Sequence, residues 1–223
     1  MSPDNDARIL ASWQQNAAPW TAAVRNGEIQ SRKLVTDQAI VAAVLARAPA
    51  TVLDIGCGEG WLARALAAQG VAVIGVDAIP ALIEHARAAG GEFHVATYEA
   101  IAAGALAVTA DVVVSNFALI GKEAVDGLVA AIPALLNPGG AFIVQTLHPV
   151  FANGDAPYHD GWRAGSWAGF SADFSDPAPW YFRTIGGWLD LFSRSGLRLA
   201  ALHEPLHPST QQPLSAIFVA VIG

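Results

Sequence analysis

One cysteine, Cys57, is all the chain carries in 223 residues, so no disulfide can form within it. That suits a reducing compartment. No uncharged apolar run reaches the roughly 18 residues a membrane span needs, so no span is expected. Positive charge is scarce as well: 12 Lys and Arg stand against 19 Asp and Glu, for a net charge of −7, with no basic cluster. Neutralising phosphates supplies most of the affinity for nucleic acid, so nucleic acid is not expected as a partner. No His, Cys or acidic side chains fall at metal-ligand spacing, and no metal is expected. The first ten residues, MSPDNDARIL, lack the basic stretch and apolar core of a secretory signal. Together these absences point to a cytoplasmic protein and leave a small molecule as the expected partner; they do not choose between a monomer and a homodimer.

What is present is apolar and alternating. Hydrophobic residues make up 53% of the chain, ample for one large core. Its middle alternates strand-like and helix-like stretches. Strands are expected at 51–55, 71–76, 92–96, 111–115 and 141–146, with helices at 61–69, 80–89 and 122–136. Pro133 should kink or end the last helix, and residues 137–140 (NPGG) should turn the chain. This order is the signature of a parallel sheet covered on both faces. Residues 4–48 read as helical, broken at Pro19 and Gly27. From His148 to Arg183 the periodicity is lost, yet residues 151–192 hold 11 of the 19 aromatics. A disordered linker would be poor in aromatics, so an ordered loop is expected. A helix near 185–195 and strands at 197–203 and 215–222 close the chain, the last two as an edge hairpin. The chain therefore divides into a helical cap (1–48), a core (49–147), a loop insertion (148–183) and a C-terminal helix with hairpin (184–223), all in one domain.

The strongest signal is VLDIGCGEG, residues 52–60. A buried strand ends in an acid, then in Gly56, Gly58 and Gly60, and a helix follows. Glycines at the carboxyl end of a parallel strand let the backbone turn sharply and approach a ligand. The dinucleotide fingerprint is G-x-G-x-x-G; here the register is one residue short, and Glu59 inside the turn is unwelcome to a pyrophosphate. Asp77, at the end of the second strand and roughly 20 residues on, can accept hydrogen bonds from both hydroxyls of a ribose. Strand, glycine turn, helix, strand and acid together describe a nucleoside half-site.

VLDIGCGEG followed by GVDAIP resembles the class I S-adenosylmethionine-dependent methyltransferases, in particular small bacterial ones of the ubiquinone/menaquinone-methyltransferase-like type, over roughly residues 52–146. The resemblance implies a doubly wound, seven-stranded, mostly parallel sheet under the N-terminal cap, with the last strand antiparallel near one edge. It implies S-adenosylmethionine as methyl donor and S-adenosylhomocysteine as product. Asp54 and the backbone of Gly56, Cys57 and Gly58 would face the methionine part; Cys57 itself reads as a small filler. Asp77 would hold the ribose, with Ala78 and Ile79 against the adenine. Ser115, Asn116 and Phe117 would lie near the amino group and the transferable methyl. Relatives often carry an acid after the third strand; here Thr97 or Tyr98 substitutes, or Glu99 reaches the site. Arg32 is the candidate for the cofactor carboxylate, with Arg25 as rival.

Methyl transfer is an in-line displacement in which alignment does most of the work. A hydroxyl or protonated-nitrogen acceptor would also call for a base. His148 follows the fifth strand at the carboxyl edge where open sheets bind ligands and is the candidate; His159 is second. Loop aromatics such as Tyr158, Trp162, Trp167, Phe170, Trp180 and Tyr181 mostly pack the loop, with some lining the acceptor pocket. A nicotinamide oxidoreductase and a non-catalytic cofactor-binding accessory protein are the alternatives.

Overall fold

The structure, a computed structural model, describes residues 5–223. Residues 1–4, where the expected cap and the residues screened for a signal begin, lie outside it. Seven strands form the central sheet: β1 (Thr51–Ile55), β2 (Ala72–Asp77), β3 (Glu92–Val95), β4 (Ala110–Asn116), β5 (Leu136–Leu147), β8 (Leu197–His203) and β9 (Ser215–Ile222). Their order is β3-β2-β1-β4-β5-β9-β8. The first five are parallel, and β9 enters antiparallel between β5 and the edge strand β8. This is the doubly wound, mostly parallel sheet that the resemblance implied, and its parallel part is the one the alternating pattern predicts. No helix among the described residues is long and apolar enough to cross a membrane.

The central strands are apolar on both sides because both faces are covered. Leu53, Val113, Phe142 and Phe218 face α6 (Glu123–Leu135) and α8 (Ile185–Arg194). Val52, Val112, Ile143 and Val219 face α2 (Asp37–Leu45) and α3 (Trp61–Ala67). A third cluster joins α3 to α4 (Pro80–Ala88) through Ala63, Ile83 and Phe93. Helix α8 shows how sequence sets an element: Thr184 caps it by accepting from the Gly187 amide at 2.9 Å, and Trp188, Leu191 and Phe192 bury one face.

Three local expectations are corrected. Pro19 does not break the first helix: α1 runs unbroken over Asn5–Arg25. The carbonyl that Pro19 leaves without a helical partner belongs to Gln15, which is exposed, so water can satisfy it. The NPGG turn does not precede β5 but sits within it: Leu136 pairs with Ala110 and Ala141 with Val112, and the residues between swing out of register. The 148–183 stretch is not wholly irregular. It contains α7 (Pro149–Ala152) and the small hairpin β6 (Gly161–Arg163) and β7 (Trp180–Phe182). A further short helix, α5 (Tyr98–Ala102), follows β3. The chain does leave α1 at Gly27, whose φ is +64°, and then makes a π-helical turn over Arg32–Thr36.

Candidate functional site

A cavity of about 400 Å³ opens at the carboxyl ends of β1, β2 and β4. Its floor is the glycine turn. Gly56 has φ +75°, and a Cβ there would fall 2.3 Å from that of Ala118, so both conformation and space demand glycine. Gly60 has φ +84° with Phe93 packed against it. The amides of Gly56 and Cys57 donate to the Val76 carbonyl at 2.8 and 3.0 Å, tying the turn to β2. Asp77 completes the clasp. One carboxylate oxygen accepts from the Gly58 amide and the other from the Ile79 amide, each at 2.9 Å. Burial pushes the Asp77 carboxyl above its usual range, opposed by these amide hydrogen bonds.

Beside the clasp lies unsatisfied polarity. Asp54 is fully buried at the end of β1 and one of its oxygens, Oδ2, has no partner among the described residues. Burial, and secondarily the charge of Asp77, raise its carboxyl to about 7. On the neighbouring strand end, Ser115 Oγ and Asn116 Oδ1 are buried without partners as well. Native structures rarely strand such groups; of these three residues Asn116 lines the cavity. Phe117 follows with φ +54°, a conformation bulky residues avoid; its amide donates to Gln145 O at 2.8 Å.

Three arginines have distinct positions. Arg25 is engaged by Glu59 at 3.0 Å and by the His85 carbonyl at 2.9 Å. Glu59 is buried between Arg25 and Arg64, so the acid within the turn carries two protein counter-ions. Arg32 lies on the cavity wall. Its Nε donates to Asp37 at 2.9 Å and its guanidinium stacks 4.6 Å from the Trp61 ring centroid. Its two terminal nitrogens have no acceptor among the described residues.

Of the residues singled out in the sequence, Arg32, Gly56, Cys57, Gly58, Asp77, Ala78, Ile79, Thr97, Tyr98, Asn116 and Phe117 line this one cavity, as does Glu99. Asp54 and Ser115 stand behind the wall. Thr97 caps α5, accepting from the Ala100 amide at 3.2 Å, and Tyr98 is half-buried with its hydroxyl donating to Ala118 O at 3.1 Å. His148 is placed elsewhere. It heads α7, is 3% exposed, and its Nε2 lies 2.7 Å from Glu204 Oε1 in the β8–β9 connection. Leu147, one residue earlier, reaches the cavity; His148 does not. His159 is also outside it, with its ring against the Asp160 carbonyl.

The opposite wall belongs to α1. Trp20 packs with Ile79 and Leu82 near the glycine turn, while Asp6, at the helix's other end, accepts from the Lys122 and Ala124 amides at the start of α6. Helix α1 thus spans the cavity. Its Trp13 meets Trp20 and Trp167 edge-on, and Asn16 exchanges two hydrogen bonds with the Ser175 backbone. Phe170, Trp180 and Tyr181 of the loop line the cavity. Trp167 packs on Trp13, Trp162 on Tyr181, and Tyr158 on Phe182. Sequence reasoning missed α1 as a wall, although Ile9, Trp13 and Trp20 recur at helical spacing. It also missed Arg183. This residue is buried, its ring neighbours Tyr181 and Trp188 lie 4.9 and 5.2 Å from the guanidinium, and it lines the cavity.

Known proteins share this architecture. A protein-family model described as a methyltransferase domain matches residues 29–203. The ubiquinone biosynthesis O-methyltransferase of Methylocella silvestris is 35% identical over 122 residues, covering 50% of this chain and 47% of that protein. That of Brucella ovis is 38% identical over 101 residues, covering 43% and 40%. The chain thus matches about half the length of these curated relatives or less. Among solved structures, an S-adenosylmethionine-dependent methyltransferase from Mesorhizobium loti superposes with a TM-score of 0.62 at 23% identity, covering 82% of this chain and 95% of that one. The 1,6-didemethyltoxoflavin-N1-methyltransferase of Burkholderia thailandensis reaches 0.67 at 16% identity, covering 99% and 90%. At these identities the solved structures establish the fold alone. The family match extends over most of the chain, and the protein belongs to the methyltransferase-domain family.

Proposed function

We propose that this protein is an enzyme that transfers a methyl group from S-adenosylmethionine to a small-molecule acceptor. The observation that carries the reading is the Asp77 clasp on the glycine turn, in one cavity with the open end of Arg32. When bound, the sulfonium supplies an activated methyl group. The chain's own residues bind and orient. Asp77 keeps lone pairs for two ribose hydroxyls after accepting its two amides. The backbone at Gly56, Cys57 and Gly58, with Asp54 behind it, accommodates the methionine part. The terminal nitrogens of Arg32 suit a carboxylate, which guanidinium binds bidentately. Ala78 and Ile79 offer an apolar surface for adenine, and Thr97, Tyr98 and Glu99 stand at its edge. Ser115, Asn116 and Phe117 lie towards the reacting end.

Asn116 on the cavity wall, with the carboxylates of Asp54 and Asp77 close together nearby, favours a ligand with an ammonium group over a pyrophosphate. That is why the nicotinamide reading is second. The aromatic chamber beside the crevice is the reason for preferring an enzyme to an accessory protein. His148 is assigned to fixing the β8–β9 connection rather than to proton transfer. The net charge of −7 supports a small, diffusible acceptor over nucleic acid, and the whole chain reads as one cytoplasmic domain. Calorimetric titration tests this: S-adenosylhomocysteine saturates a single site while NADH gives no heat. The opposite pattern favours the oxidoreductase.

A further inference from the structure

The acceptor end of the cavity is built around one buried cation. Towards the end where Asp6 meets α6, the walls are Ile9, Leu10, Trp180, Tyr181 and Phe182, with Arg183 among them. Arg183 is held in place by three acceptors. Its Nη1 donates to Gly121 O at 2.9 Å, and its Nη2 donates to Lys122 O at 3.3 Å and Asp126 Oδ1 at 2.9 Å. The rings of Tyr181 and Trp188 flank the guanidinium. Its Nε–H has no acceptor among the described residues.

Asp126 is shared by Arg183, Arg194 and Lys122, so one carboxylate serves three cations. Two further acids lie near this end: Asp6 accepts from the α6 amides, and the charge of Asp160 acts on Arg183. An apolar pocket with a fixed guanidinium whose Nε–H is left open suits flat apolar molecules with an oxygen anion.

We infer that Arg183 recognises the acceptor, and that the acceptor is a largely apolar, aromatic-type molecule carrying an acidic hydroxyl that it presents as the oxyanion. The inference rests on the methyl-donor reading above and deepens it. Ionised acceptor chemistry also removes the need for a protein base, in keeping with the placement of His148. The hydroxyl proton leaves to water as the acceptor binds. An oxygen lone pair then forms the bond to the methyl carbon, the electron pair of the methyl–sulfur bond stays on sulfur, and two opposite charges cancel. A water-poor aromatic chamber favours such a charge-cancelling step.

The test uses three isosteric probes on protein saturated with S-adenosylhomocysteine: 2-naphthoate, 2-naphthamide and 2-naphthylmethylammonium, read by tryptophan fluorescence. We expect naphthoate to bind about tenfold or more tightly than the ammonium probe, as one charge-assisted hydrogen bond allows. Arg183→Met abolishes that preference and Arg183→Lys keeps part of it. If Arg183→Met does not fold, the order of the probes on the wild-type protein still decides. Equal affinities, a preference for the ammonium probe, or no binding by any probe overturns the inference. Titration of S-adenosylhomocysteine into the same samples reports separately whether the methyl-donor reading has failed.

Discussion

The carboxylate of Asp77 accepts a hydrogen bond from the amide of Gly58 at 2.9 Å, across 19 residues of sequence. The residue expected to hold a ligand's sugar is thus also the brace of the turn that would hold its other end. Asp77→Asn tests the double role. An amide cannot accept from both Gly58 and Ile79 without presenting a donor to one of them. Affinity for S-adenosylhomocysteine is expected to fall about 10- to 100-fold by calorimetry, the cost of a charge-assisted hydrogen bond and a disturbed turn.

Arg32 is expected to act on one part of the ligand only. Arg32→Met keeps a long apolar stem over Trp61 but loses the guanidinium. Binding of S-adenosylhomocysteine should weaken about tenfold. Binding of 5′-methylthioadenosine, which lacks the amino-acid carboxylate, should hardly change. Equal losses for both ligands would show that Arg32 only shapes the wall.

For His148 the expected outcome separates structure from chemistry. His148→Ala removes a buried ring and leaves Glu204 without its partner. We expect a loss of about 1–3 kcal/mol, seen as a fall of several degrees in Tm. Turnover per folded molecule should stay within about twofold. A large fall in kcat with unchanged Tm would restore His148 as a base.

Asp54 sets a pH dependence. Its usual value is 3.8 and burial raises it to about 7 in the folded chain. Below about pH 4 the carboxyl is neutral in both folded and unfolded states. As pH rises from there to 7, the unfolded chain ionises first, so folding stability falls, and it levels off above 7. Asp54→Asn therefore stabilises the ligand-free protein at pH 8, by at most about 4 kcal/mol, and the gain vanishes towards pH 4. Denaturant melts of both proteins across this range check the sign. If binding of the ammonium-bearing ligand needs the carboxylate, S-adenosylhomocysteine affinity also rises through pH 7 in the wild type and stays flat in Asp54→Asn.

What was readable in the sequence was local. The glycine turn and Asp77 lie on adjacent strand ends, so strand length and spacing alone bring them together. The parallel core of the sheet followed from the alternation of strands and helices, whereas the antiparallel last strand near the edge was implied by the resemblance. Helix α1 as a cavity wall was not readable, because its position depends on bonds such as Asn16 to Ser175, 159 residues apart. Pro19 argued locally for a break, and the solvent exposure that excuses it is a tertiary fact. His148 was rightly placed at the carboxyl edge of the sheet, but which way a ring turns after a strand depends on what the next loop offers, here Glu204. Arg183 gave no motif at all. Its place follows from the hairpin that carries it and from Asp126, 57 residues away.

A crystal grown with S-adenosylhomocysteine decides the central matter most directly. We predict both ribose hydroxyls within about 2.7–2.8 Å of the Asp77 oxygens, and the ligand carboxylate on Arg32. Density for the nucleoside outside this crevice, or a crevice left vacant at saturating ligand with Asp77 bound only to its two amides, would contradict the account.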